Sequence, residues 1–167
     1  MTPEFSRIFD VRHLPERPIT LEADPAERAA LAKRFAVLAI ERLEAEAGLE
    51  RAGDAVLAAG RFEAELFQTC AVSGEPLTTR IAEPFSVRFV REDAAQRGED
   101  IELSADDLDE IAYEGTQVDL GEAVAQSLSL AIDPSATGPG ADAVRKQAGL
   151  GDEASAGPFA ALAALRK

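Results

Sequence analysis

Cys70 and His13 are the single cysteine and the single histidine of the chain. They are therefore the one pair that could join a thiol nucleophile to an imidazole base. A thiolate nucleophile needs such a base, or a positive end nearby. Cys70 falls on the apolar side of an alternating stretch, which favours a buried, unreactive thiol. His13 lies in a proline-flanked loop, Val11-Arg-His-Leu-Pro15, and reads as a surface residue. With no second histidine or cysteine, neither residue makes a zinc site.

A second group is carboxylate. Asp106, Asp107, Asp109 and Glu110 cluster at the end of an acidic stretch running from Arg91 to Glu110. Carboxylates at such spacing can clamp Mg²⁺ against a phosphate, so a metal-dependent phosphoester hydrolase is one reading. The alternating acids and central glycine of a calcium loop are absent. A solvated acidic loop is the favoured reading; a sharper version has it shield a basic partner. Glu83 is a lone acid on an otherwise apolar strand face beside Pro84, and reads as a position where the side chain reaches water.

The third group is basic. Arg80, Arg88 and Arg91 lie in or just after one strand-like stretch, and Arg166 and Lys167 end the chain. Such residues can contact phosphates. None is interleaved with aromatics as a base-stacking platform requires. No phosphate-cradling glycine loop and no serine in a nucleophile elbow appear, so the expectation is no enzyme, no cofactor and no bound metal.

The whole chain restricts the partners. Its 167 residues carry a net charge of −14. That field repels nucleic-acid backbones at long range and favours a basic protein. Hydrophobic residues make up 46%, enough for a core without staples, but aromatics are only 5%, so the core is modest. One cysteine allows no internal disulfide, which fits a reducing cytoplasm. The first ten residues lack a basic region followed by an apolar run, and no run approaches a membrane span.

The elements that must position these residues can be read from periodicity and caps. Residues 5–11 alternate as a first strand, and Ile19-Thr-Leu21 is a short extended piece. Asp24-Pro25-Ala26-Glu27 is a helix start with N-cap, N1 proline and capping-box glutamate, and the helix is expected to reach about Ala36. Residues 37–51 fit both periods; a strand is preferred because the next stretch needs a partner. Gly53-Asp54 turns the chain. Phe62, Ala64, Leu66, Gln68 and Cys70 then share one face of a long strand, with Gly60 a candidate bulge. Ser73-Gly74-Glu75-Pro76 turns it again, and Ile81, Phe85, Val87 and Phe89 line the returning strand. Ile101-Glu-Leu103 and residues 110–115 are candidate short edge strands. Asp119-Leu-Gly-Glu122 opens a second helix as a capping box, and Asp133-Pro134 closes it.

The expected fold is α+β: an antiparallel sheet, strongly twisted or barrel-like, with two main helices packed on it and a flexible C-terminal tail. The expected organisation is one domain over 1–134. A linker over 135–158 holds at most a short helix near Ala141–Ala148, and 159–167 is a short amphipathic segment with Phe159, Leu162 and Leu165 at helical spacing.

Several of these pieces, taken in order, resemble one family. They are Gln68-Thr69-Cys70, Glu75-Pro76, Ile81-Ala-Glu-Pro-Phe85, Val87-Arg-Phe89, the acidic loop, and Val118-Asp-Leu-Gly-Glu122 running into Asp133-Pro134. The chain resembles the YceD-like family of large ribosomal RNA subunit accumulation proteins, roughly over residues 5–134 and again at 158–162. The resemblance implies a non-enzymatic role in large-subunit rRNA accumulation or processing and ribosome assembly. The partners it implies are a basic ribosomal protein or a 23S-type rRNA precursor. Many members have a second cysteine soon after the one matching Cys70 and a cysteine cluster near the C-terminus. Ser73 stands near the first of those places and the tail has no cysteine, so no zinc role is carried over. No catalytic residue is carried over either.

Overall fold

The computed structural model describes residues 3–92 and 109–149. Asp106, Asp107, Arg166, Lys167, the Ile101–Leu103 stretch and the 159–167 segment lie outside the described residues.

The chain is α+β. Its main sheet has five strands in the order β2 (Ile19–Glu22), β3 (Ala39–Ala52), β4 (Ala55–Thr69), β5 (Pro76–Arg91) and β6 (Asp109–Tyr113). A separate pair joins β1 (Ile8–Asp10) to β7 (Gln117–Asp119). Three helices stand among the described residues: α1 (Pro25–Arg34), α2 (Leu120–Ala131) and the short α3 (Ala141–Gln147). The sheet is open, not a closed barrel: β2 and β6 are its edges.

Local chemistry explains most boundaries. The Asp24 carboxylate accepts the Ala26 and Glu27 N–H groups, both at 2.8 Å, and Glu27 accepts the Asp24 N–H at 2.8 Å. This complete capping box satisfies donors that a helix start leaves open. The helix ends at Arg34, slightly before the expected Ala36, because Ala36 adopts a left-handed φ of 55° that turns the chain toward β3. The ambiguous stretch 37–51 is largely strand, since β3 finds partners on both sides, β2 and β4. Gly53, at φ 63°, supplies the tight turn between β3 and β4.

Alternation then builds two faces. Leu43, Ala64 and Ile81 are buried neighbours across β3, β4 and β5, as are Phe62 and Phe85 on the same face. Their rings meet at 6.3 Å between centroids. Leu31 of α1 and Leu120, Val124 and Leu128 of α2 complete this core. The opposite face of the sheet carries Arg42, Glu44, Glu46, Arg61, Glu63, Glu65, Arg80 and Arg88.

Three details differ from the sequence reading. Gly60 is not a bulge: it pairs in register with Ala47 and Phe85, and a Cβ there would lie 1.9 Å from the Glu46 carbonyl oxygen. Glycine is required by close backbone approach. The irregularity sits instead between Ile40 and Arg42. Second, β6 runs parallel to β5, so the sheet is mixed and not wholly antiparallel. A parallel neighbour needs a long return connection, and the acidic stretch between the two strands supplies the length. Third, the second capping box is half made. Asp119 accepts the Glu122 N–H at 3.1 Å, but the Glu122 carboxylate turns to Arg34 at 2.7 Å.

Candidate functional site

The outward face of β3, β4, β5 and β6 brings together the basic candidates and a larger set of acids. Arg88 stands directly opposite Glu110 in the β5–β6 register and donates to it at 3.1 Å. Arg80 donates to Glu65 at 3.3 Å, and Arg61 to Glu63 at 3.2 Å. Arg42 donates to Glu44 at 2.6 Å and lies 3.9 Å from Glu63. Each of these four guanidiniums thus has a carboxylate beside it. Glu46 and Glu50 on β3 are exposed acids with no arginine or lysine paired to them among the described residues. The face therefore presents carboxylates on balance, with its positive charge already compensated locally.

Asp109 and Glu110 open β6 and are both exposed, while Arg91 ends β5. Beyond Arg91, Glu92 and Glu114 share a hydrogen bond, and that bond raises the Glu92 carboxyl above its ordinary range, helped by the like charge of Glu114. Two acids thus flank the start of the acidic stretch and the end of β6. Periodicity could not have paired them, because they meet only through the parallel β5–β6 alignment. Asp106 and Asp107 are outside the described residues. Among the described residues, no group of three or more histidine, cysteine or acidic side chains is arranged to hold a metal ion.

Cys70 is buried, as its place on the apolar face predicts, with 3% of its surface exposed. Its surroundings are more polar than that face suggested. The Ser73 N–H and the Gly138 N–H both donate to its sulfur at 3.3 Å. The Ser73 hydroxyl, followed by the Ser73, Gly138 and Val72 N–H groups, lowers the thiol to about 6. The sulfur thus ties the β4–β5 turn to the chain after α2, and the Ala71 N–H donates to the Ala136 carbonyl at 3.0 Å beside it. His13 is exposed in the β1–β2 loop, where the Val11 carbonyl accepts from Arg51 at the end of β3, whereas Cys70 follows the end of β4 beside the start of β3, so the two make no dyad. Glu83 is exposed although its neighbour across the sheet is the buried Phe62, which agrees with a rim position.

A family model described as large ribosomal RNA subunit accumulation protein YceD matches residues 58–166, well over half of the chain. The chain belongs to the YceD family. The family's description implies a role in accumulation of the large-subunit ribosomal RNA. The match takes in most of β4 and all of β5, β6, β7, α2 and α3, and begins after β1, β2, α1 and β3. No curated protein and no solved structure matches the chain. The YceD match therefore covers Arg80, Arg88, Arg91 and the acidic stretch. Arg42, Glu44 and Glu46 belong to the part that precedes it. No helix among the described residues is long and apolar enough to cross a membrane.

Proposed function

We propose that the chain is a cytoplasmic, non-enzymatic factor in large-subunit rRNA accumulation that acts by holding a basic ribosomal protein on its carboxylate-rich surface. The observation that carries this reading is the state of the arginines on the sheet face. Arg42, Arg61, Arg80 and Arg88 each already face a carboxylate. A phosphate would have to break those pairs and approach a chain of net charge −14. A lysine- or arginine-rich protein is attracted by that net charge and can meet Glu46 with no pair broken, while at Glu44, Glu63 and Glu65 it shares carboxylates already beside an arginine. The acidic stretch from Arg91 to Glu110 adds further carboxylates to the chain between β5 and β6. Direct contact with an rRNA precursor through the basic tail residues Arg166 and Lys167 is the competing mode.

Charge complementarity of this kind acts mainly on the association rate and fades with salt. Neutralising Glu46, Glu63 and Glu65 together to glutamine should weaken binding to a basic large-subunit protein roughly tenfold or more at low salt. Little change should remain at about 1 M salt, where screening extends only ~3 Å. Titration by fluorescence anisotropy reads this, and equal affinity of the triple variant at low salt would defeat the reading.

A further inference from the structure

A groove of about 460 Å³ lies between α1 and the start of β3. That volume is in the range of sites that bury a small ligand or a few side chains. Ala32 and Ile40 are buried in its floor, Val37 and Leu38 line it, and Arg28 and Lys33 stand at its margin. Leu38 leaves 56% of its surface exposed, an apolar side chain open to water beside an apolar floor. The strand edge here is open as well. β2 pairs with β3 only from Ala47 to Glu44, and the Ala23 N–H makes one further bond to the Leu43 carbonyl. From Arg42 back to Ala39, β3 has no strand on that side among the described residues.

We propose that residues 159–167 of this same chain occupy the groove. The chain's course favours this occupant. Beyond α2 it is fastened to the β4–β5 turn by the Ala136 carbonyl and by the Gly138 N–H on Cys70 sulfur. That turn and the groove are at the same end of the sheet, because the Leu38 N–H donates to the Phe67 carbonyl at 2.8 Å. Only about 10 Å of strand separates Phe67 from Cys70. The residues from 150 to 158 can span roughly 30 Å when extended, so reach is ample. Phe159, Leu162 and Leu165 then offer three apolar side chains at helical spacing over about 9 Å. Arg28 and Lys33 line the groove together with Glu41, so its charge does not select the occupant; reach and the apolar spacing do.

The inference goes beyond the proposed function and is tested without any partner. In the full chain, Leu38→Cys combined with Leu162→Cys should form an intramolecular disulfide under mild oxidation. The yield should exceed tenfold that of a control pair, Leu130→Cys with Leu162→Cys, since Leu130 is exposed on α2. Equal yields from both pairs, or bonds only between separate molecules, overturn the proposal. Amide hydrogen exchange requires no substitution. Residues 38–42 should exchange at least threefold faster in a chain ending at residue 157 than in the full chain, and unchanged rates overturn the proposal.

Discussion

Cys70 shows how one residue can satisfy a packing rule and still carry electrostatic information. Alternation along β4 placed it on the apolar face, and there it is buried. Alternation says nothing about Gly138, which lies far along the chain and donates its N–H to the sulfur at 3.3 Å. These donors favour the thiolate, so the thiol in the folded chain sits at about 6, below the ordinary cysteine value near 8.5. A group depressed by folding adds stability as pH rises from the folded value to the unfolded one, and loses it below the folded value. The stability difference between the parent chain and Cys70→Ala should therefore grow between about pH 6 and 8.5. Urea midpoints across that range measure it; a flat difference would mean that the thiol is unperturbed. Gly60 makes a parallel point about backbone. Its type was legible as unusual, but the cause, a Glu46 carbonyl standing where a Cβ would lie, depends on how closely β3 crosses it.

At the scale of elements, the caps were legible because they are local. Asp24 and Asp119 both cap as their spacing predicts. The rest depended on partners far away in sequence. Glu122 was expected to close its own helix start, yet it joins Glu4 in receiving Arg34 from α1. Arg34 thereby links the N-terminal segment, α1 and α2, while Arg7 links the same segment to Glu27 and the Glu22 carbonyl. Phe5 is fully buried between them, and the Phe5 carbonyl leaves no room for a Cβ at Gly121. Replacing Arg34 with alanine should cost about 1 kcal/mol at neutral pH, because its pairs are partly exposed. Arg34 holds the Glu122 carboxyl below its ordinary range. The contribution of the pair is therefore present above the ordinary carboxylate pKa and is lost as pH falls through the lower folded value. The cost of Arg34→Ala should thus shrink below about pH 4, as thermal midpoints would show; a cost independent of pH would contradict the pairing. The long β3–β4–β5 meander was readable from alternation and turns. The parallel β5–β6 pair was not, since strand direction after a long connection leaves no local mark.

For the whole molecule, the governing quantity is charge and where it is spent. The net −14 was legible at once, and the expectation of a basic partner was drawn from it. Arg42–Glu44 and Arg61–Glu63 sit two apart on one strand and follow from alternation, but the Arg80–Glu65 and Arg88–Glu110 matches were not legible, because they need the β4–β5 and β5–β6 pairings. The YceD match ties the chain to large-subunit rRNA accumulation and the surface charge argues for the kind of contact. The most direct test is capture by the full chain from cell lysate at moderate salt, with protein and RNA in the eluate both quantified. The account predicts a basic large-subunit ribosomal protein that is retained after RNase treatment and released by raising the salt. Large-subunit rRNA precursor captured without any such protein, and lost on RNase treatment, would contradict it.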